Sequence, residues 1–343
     1  MTTSAGIVEK AAHGVHLPVT REIEVATLLV ANAGGHLQEL FELVPRFELA
    51  DADLKWVTFD TAQARSLLAG ADVVFAPYPR PRDLAVTARH AAIAWRVFRS
   101  HAPFSNVIST GSSIGVPFLS FARVSGASCH YIESATRRLA PSTTGRILAR
   151  IPGIHLYSQV RSWKDPPWHY RGTVFDGYEA SAGRKRPIKR VAVAVGSSQS
   201  FGFRRLLEAT LGAIPAGAEV TWQTGSTPVD GLPIDARPGV PSEELAAEFA
   251  AADVVITHAG VGLALLALAA GRCPVLVPRR AERNEHVDNH QREVADELER
   301  RGLAVVCEAD ELTAGVLERA AARAVSRVQN CPPFHLVEGR SRR

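Results

Sequence analysis

The sequence predicts an α/β protein built from two doubly wound parallel sheets that face each other across a cleft. Three observations predict it. Short apolar, β-branched runs alternate with helical stretches through both halves of the chain, the pattern that gives parallel sheets covered by helices. The alternation lapses over RGTVFDGYEASAGRKRPIKR (171–190) and then restarts. Each half also carries two small-residue loops directly after a strand-like run: Gly34 to His36 and Gly111 to Gly115 in the first, Gly196 to Ser198 and Gly260 to Gly262 in the second.

In chain order, the first strand is expected over Glu24 to Ala31, running into Asn32, Ala33, Gly34, Gly35 and His36. A helix follows from Leu37 to Phe47, with Leu37, Leu40, Phe41 and Val44 at helical spacing. Leu54 to Phe59 and Asp72 to Ala76 read as strands, and Asp83 to Arg99 as a basic amphipathic helix. Val107 to Ser109 closes on Thr110, Gly111, Ser112 and Ser113. A short strand at Cys129 to Glu133 ends on a carboxylate, a helix starts at Thr143, and Ile154 to Tyr157 is a further strand. After the lapse, Val191 to Val195 is a strand leading to Ser197 and Ser198, then a helix from Phe203 to Leu211 and a strand at Val220 to Gln223. Ser242 to Ala251 is a helix with Ser242 as its expected N-cap and Glu243 and Glu244 in its first turn. Glu293 to Arg301 is a charged helix, Ala304 to Val306 a strand, and Leu312 to Val328 a final helix.

The stretch Asp253 to Gln291 carries the strongest chemical signal. Val254 to Thr257 breaks into His258, Ala259, Gly260, Val261, Gly262, continues as an Ala/Leu helix to Gly271, and resumes as the apolar Pro274 to Pro278. This is a βαβ unit, and the turn between its first strand and helix offers unpaired amides and a helix dipole to an anion. The loop after the second strand holds Arg279, Arg280, Glu285, His286, Asp288, His290 and Gln291, on the side of the sheet where α/β proteins bind ligands. His258 is expected to position the glycine turn. The alternate spacing of His286, Asp288 and His290 invites a metal reading, but no anchoring ligand elsewhere accompanies it, and no metal is expected.

Composition narrows the partners. With 343 residues the chain is long enough for two cores, and no apolar run approaches the roughly 20 residues of a bilayer span. The polar start (1–22) is too charged for a secretory signal and reads as a flexible extension. Cys129, Cys273, Cys307 and Cys331 show no C-x-x-C pairing, which fits idle thiols in a reducing cytosol. A net charge of +4 tilts the protein toward anionic partners. Only 7% of residues are aromatic and no nucleic-acid motif occurs, so nucleic acid is not the expected one.

At this point the motifs resemble those of the family 28-like glycosyltransferases of GT-B fold. They look most like a fusion of the two-subunit bacterial exopolysaccharide transferases and their eukaryotic counterparts acting on dolichol-linked N-acetylglucosamine. Gly34, Gly35 and His36, VISTGSSIGVPF (107–118) and YIESATRRLAPSTTGRILAR (131–150) are similar to the acceptor subunit; VAVAVGSSQSFGFRRLLEA, ADVVITHAGVG and VLVPRR with EHVDNHQ are similar to the donor subunit. The resemblance covers roughly residues 24–306; together with the lapse in the pattern it leads to an expected extension over 1–22, an acceptor domain over 23–180, a basic linker over 181–190, a donor domain over 191–328 and a tail over 329–343.

It implies an inverting, metal-independent transfer of a sugar from a nucleotide diphosphate donor, UDP-linked in most of the family, to a polyprenyl-phosphate-linked saccharide. The protein would then work in exopolysaccharide or cell-envelope assembly, in the cytoplasm at the inner face of the membrane. His36 would be the general base, a role suited to imidazole, with Glu133 holding the acceptor or orienting His36. Gly34, Gly35, Gly111 and Ser112 would line the acceptor side. Gly260, Val261 and Gly262 would offer amides to the diphosphate beside His258, Ser197 and Ser198; Val240 would lie along the base, and Asp288 and Gln291 would bind sugar hydroxyls. Leu263 and Leu266 stand where the family usually has Ser and a ribose-binding Glu. Two other readings stay open: a catalytically silent GT-B protein that binds a nucleotide sugar or a partner, and an NAD(P)-dependent oxidoreductase using Gly260-x-Gly262 with Arg279 and Arg280. The latter lacks the third glycine, Leu265 standing there, and the acidic ribose partner.

Overall fold

A computed structural model describes residues 26–49, 53–78, 84–101, 103–163, 166–183, 186–197 and 200–337, with the backbone alone at 84–88. The N-terminal extension, Glu24 and Ser198 lie outside them. The first half runs β1 (Ala26–Ala31), α1 (Gly35–Leu43), β2 (Leu54–Phe59), α2 (Ala62–Leu67), β3 (Asp72–Ala76), α3 (Leu84–His101), β4 (Phe104–Gly111), α4 (Gly115–Ser125), β5 (Ser128–Ile132), α5 (Thr143–Leu148), β6 (Ile154–Ser158) and β7 (Trp168–Tyr170). Its seven strands form a parallel sheet in the order β3-β2-β1-β4-β5-β6-β7. The first strand is apolar and wholly buried after Ala26, as a central parallel strand covered on both faces must be.

After β8 (Tyr178–Ala182), the second half runs β9 (Arg190–Ala194), α6 (Arg204–Ala213), β10 (Glu219–Gln223), β11 (Ala236–Arg237), α7 (Ser242–Ala251), β12 (Val254–His258), α8 (Val261–Ala269), β13 (Val275–Val277), α9 (His290–Arg300), β14 (Val305–Val306), α10 (Ala314–Ala321) and β15 (Arg323–Arg327). Six of these strands make a second parallel sheet, β11-β10-β9-β12-β13-β14. The strand order reverses between β1 and β4 in one sheet and between β9 and β12 in the other. In open α/β sheets the crevice at such a reversal, beyond the carboxyl ends of the strands, is where ligands bind. All four glycine loops follow the reversal strands.

Three expectations change. The lapse read as linker contains β8, which pairs antiparallel with β15, so Tyr178 to Ala182 belongs to a two-stranded ribbon, leaving less of 181–190 as free connection. The expected helix to Val328 ends at Ala321 and its last residues form β15. RAVSR is too short for its period to separate helix from strand, and the partner strand decides. The tail, expected to be loose, is fixed as far as Val337. Phe334 is fully buried against Phe47 and Tyr157 at ring-centroid distances of 5.7 and 5.6 Å. Its amide donates to the Arg46 carbonyl at 2.7 Å, so the segment around Phe334 packs on the first domain.

The two domains share one apolar core. Leu29, Leu37 and Leu40 of the first half and Val191, Ala264 and Leu265 of the second belong to a single buried cluster, with α1 packed on α8. The four cysteines are free. Among the described residues no helix is long and apolar enough to cross a membrane.

Candidate functional site

His36 stands in the first turn of α1, after Gly34, whose φ of +88° turns the chain out of β1 into the helix. Thr110, at the end of the neighbouring reversal strand β4, holds it twice. Its carbonyl lies 2.8 Å from Nδ1 of His36, and its hydroxyl donates to the His36 carbonyl at 2.8 Å. A carbonyl oxygen can only accept, so Nδ1 carries the proton and Nε2 keeps its lone pair. Burial outweighs the carbonyl bond, and with Arg137 and His290 nearby lowers the His36 pKa to about 4. The positive end of α1 acts in the same direction. The ring is therefore neutral at physiological pH, and 30% of its side chain is exposed.

Glu133, expected to hold the acceptor or orient His36, makes its hydrogen bonds to Tyr131 and Ser142. Glu133 is buried, accepting from the Tyr131 hydroxyl at 3.0 Å and from the Ser142 amide and hydroxyl at 2.9 and 3.0 Å. Burial raises its pKa despite the Ser142 bonds. It shapes the site indirectly, through Tyr131: a Cβ built on Gly111 would lie 3.5 Å from both the Tyr131 hydroxyl and the His36 ring. Ser112 is tied to Asn32, whose side-chain amide donates to its hydroxyl at 2.5 Å. The carboxylate beside His36 is Glu39, one turn along α1 and missed in the sequence. One of its oxygens accepts from the Ala135 amide at 2.7 Å and from Gln159 at 3.3 Å. The other has no hydrogen-bond partner and lies 4.0 Å from Nδ1 of His36. Burial pushes the Glu39 pKa up to about 7. A carboxylate three residues after His36, amid Leu37, Leu40 and Leu43, was the available signal.

Across the cleft, Gly260 caps α8 and the first-turn amides of Val261, Gly262 and Leu263 have no carbonyl one turn back within the helix. The two glycine loops meet here. A Cβ on Gly35 would lie 2.9 Å from Cγ1 of Val261, and one on Gly262 would lie 3.0 Å from Cα of Gly35. Only residues without side chains allow this approach, which sets the His36 turn against the amides of α8. His258 fills the space between Gly196 and Gly260, a Cβ on Gly196 falling 2.8 Å from its ring. Burial and the neighbouring Arg279 hold its pKa well below the usual range, so it acts as a neutral spacer. Ser197 is exposed beside it. Leu263 and Leu266 are buried with Leu245, Phe249 and Val255, and Val240 packs against them, so an apolar cluster occupies the side of α8 where a ribose-binding carboxylate was expected.

Asp288 and Gln291 are already engaged. Asp288 is hydrogen-bonded to His290 and reaches Arg137 of the first domain at 3.2 Å, while Gln291 accepts from the Arg279 amide at 3.1 Å. Burial works against ionising Asp288, yet His290 and Arg137 outweigh it and hold its carboxyl below the usual range. His286, Asp288 and His290 do come together, with ligand atoms all within 4.8 Å, an arrangement that could hold a metal ion. The loop after β5 crosses the cleft: the Arg138 and Leu139 amides donate to Glu293 at 2.9 and 3.2 Å, and Arg138 pairs with Glu297 at 3.0 Å.

Residues 190–328 match the glycosyltransferase family 28 C-terminal domain. Among solved structures, the chain is similar to MurG of Acinetobacter baumannii, with 18% identity, 86% of this chain and 89% of that one covered, and a TM-score of 0.52. It is similar to the kitacinnamycin glycotransferase at 16% identity over 87% and 89% of the chains, TM-score 0.52. The calicheamicin glycosyltransferase CalG4 is also 16% identical over 88% and 91%, TM-score 0.50. At such identities the likeness is one of fold. No protein of curated function matches the sequence. The chain thus has the two-sheet GT-B fold, and its residues 190–328 match the glycosyltransferase family 28 C-terminal domain.

Proposed function

We propose that the protein is an inverting glycosyltransferase that needs no metal and moves a sugar from a nucleotide diphosphate, UDP in the leading reading, to a hydroxyl of a polyprenyl-phosphate-linked saccharide. The observation that carries the proposal is the meeting of the two switch-point loops: a neutral His36 on one sheet stands opposite the free amides of α8 on the other. The acceptor hydroxyl loses its proton to Nε2 of His36 as its oxygen bonds the anomeric carbon. The bond from that carbon to the diphosphate breaks with its electron pair, and the α8 amides stabilise the departing charge. One displacement inverts the anomeric configuration. Nδ1–H stays on the Thr110 carbonyl, and Glu39, titrating near neutrality 4.0 Å away, offsets the charge of the imidazolium that forms.

Tyr131, held by Glu133, supports the acceptor wall at Gly111. For Asp288 and Gln291 to bind sugar hydroxyls, the donor must draw Asp288 away from Arg137 and use the side-chain amide nitrogen of Gln291. The lipid acceptor rests on the family resemblance and on the exposed Trp95 and Leu139 beside basic residues of α3 and the β5–α5 loop. It would bring the protein to the inner face of the cytoplasmic membrane.

The apolar cluster at Leu263 and Leu266 favours a second reading, a GT-B protein that binds a nucleotide sugar without turning it over. One experiment separates the two. A thermal-shift screen of nucleotide sugars identifies the donor, and turnover is then measured for the native chain and His36→Ala. The transferase reading expects a loss of at least about a hundredfold with donor affinity unchanged. Equal turnover would remove His36 from the chemistry, and donor binding without any transfer or hydrolysis by the native chain would favour the silent reading.

A further inference from the structure

Arg279 is 2% exposed, follows β13, and makes no ion pair among the described residues. The nearby carboxylate of Glu285 is taken: Arg205 holds its two oxygens at 2.9 Å each, and the Arg280 amide donates to one of them at 3.0 Å. One guanidinium nitrogen of Arg279 donates to the Val195 carbonyl at 2.7 Å, and the group lies 5.5 Å from the Phe203 ring centroid. Its Nε–H has no partner. Burying a cation without an anion is costly because its hydration is lost without compensation, so such a group is expected to have an anionic partner that comes and goes.

The topology says where that partner sits. Val195 follows β9, and β12 lies between β9 and β13, so the Arg279 side chain reaches Val195 across the carboxyl end of β12. That crossing is the reversal point of the second sheet, next to His258 and the Gly260 cap of α8. The helix supplies amides without a formal charge, and Arg279 supplies the charge.

We infer that Arg279 is a diphosphate-binding residue of the donor crevice, its unpartnered Nε–H and the α8 amides together taking the pyrophosphate portion of the donor. The inference rests on the donor-site reading above and assigns to that site a cation that the family resemblance does not supply. In a dinucleotide reading the same arginine would meet a ribose phosphate; its place at the reversal point fits the bridging diphosphate instead.

The test titrates the full chain with inorganic pyrophosphate, UDP and uridine, following thermal stability and calorimetric binding, for the native protein, Arg279→Gln and Arg279→Lys. The native chain should bind pyrophosphate and UDP, and Arg279→Gln should bind both at least about tenfold more weakly, the loss of one charge-assisted hydrogen bond. Uridine should be indifferent to the substitution. Should Arg279→Gln fail to fold, the Arg279→Lys variant and the native ¹⁵Nε–¹H resonance that disappears in it keep the question open to refutation: that resonance must shift on adding pyrophosphate. Undiminished binding by Arg279→Gln, or an unmoved Nε resonance at saturating pyrophosphate, would overturn the role of Arg279 while leaving the donor reading intact. Pyrophosphate binding without UDP binding would uphold Arg279 as an anion site and sink the nucleotide reading. Binding of neither would sink both.

Discussion

Replacing Glu39 by Gln should make the protein more stable above neutral pH and a poorer catalyst there. Glu39 is fully buried, and one of its oxygens has no hydrogen-bond partner. Its pKa is raised from 4.5 to about 7, because burial disfavours the charged form. An acid whose pKa is raised by folding contributes stability at low pH and loses it as pH climbs from the unfolded value through the folded one. Linkage puts the full penalty above pH 7 at roughly 3 kcal/mol, and most of it, about 2–3 kcal/mol, grows between pH 5 and pH 8. Glutamine keeps the oxygen that accepts from Ala135 and Gln159 and removes the titration. Its new amide faces the Nδ1–H of His36 and has only the Ser134 hydroxyl nearby to accept from it, a constant cost of up to about 2 kcal/mol. That cost cancels from the difference between two pH values. Urea or thermal unfolding of both proteins at pH 5 and pH 8 should therefore show Glu39→Gln gaining about 2–3 kcal/mol relative to the native chain on going to pH 8. Turnover at pH 8 should fall roughly tenfold, since the charge that offsets the His36 imidazolium is gone, with little change at pH 5. Parallel pH dependences of stability in the two proteins would show that Glu39 is ionised at no unusual cost, and the proposed support of His36 would fall with it.

Two further outcomes follow from the ends of the first domain. Phe334→Ala removes a ring wedged between Phe47 and Tyr157 and should cost about 3–5 kcal/mol; a change below about 1 kcal/mol in unfolding would mean that the tail does not seal the first domain. If the acceptor is lipid-borne, the protein should sediment with anionic vesicles at low salt and be released as salt rises. Failure to bind such vesicles at any ionic strength would count against the lipid acceptor.

The sequence determined the two-sheet α/β architecture, the four glycine loops and the residue at the mouth of each. Those signals are local: strand and helix periods, and glycine where a strand must turn sharply into a helix. The βαβ unit around Gly260 was legible for that reason, as was His36 at the start of α1. What local pattern could not carry was pairing. β8 and β15 are each five residues long and adopt strand geometry because they meet, and Phe334 is core because the chain returns to Arg46.

The same limit divides the candidate site. Strand order, a property of the whole sheet, brings the four loops to two reversal points. The contact of Gly35 with Val261 and Gly262 joins residues more than two hundred positions apart. The resemblance offered Glu133 to hold the acceptor or orient His36; the fold bonds it to Tyr131 and Ser142, and the carboxylate it brings to 4.0 Å from His36 is Glu39. Arg279 looked like one arginine of a polar loop, and only the passage of its side chain over β12 to Val195 leaves it buried without an anion. Residue types state which chemistry a chain can supply. Which groups face each other, and which stay unsatisfied until a ligand arrives, depends on desolvation and long-range packing, and those exist only in the folded protein.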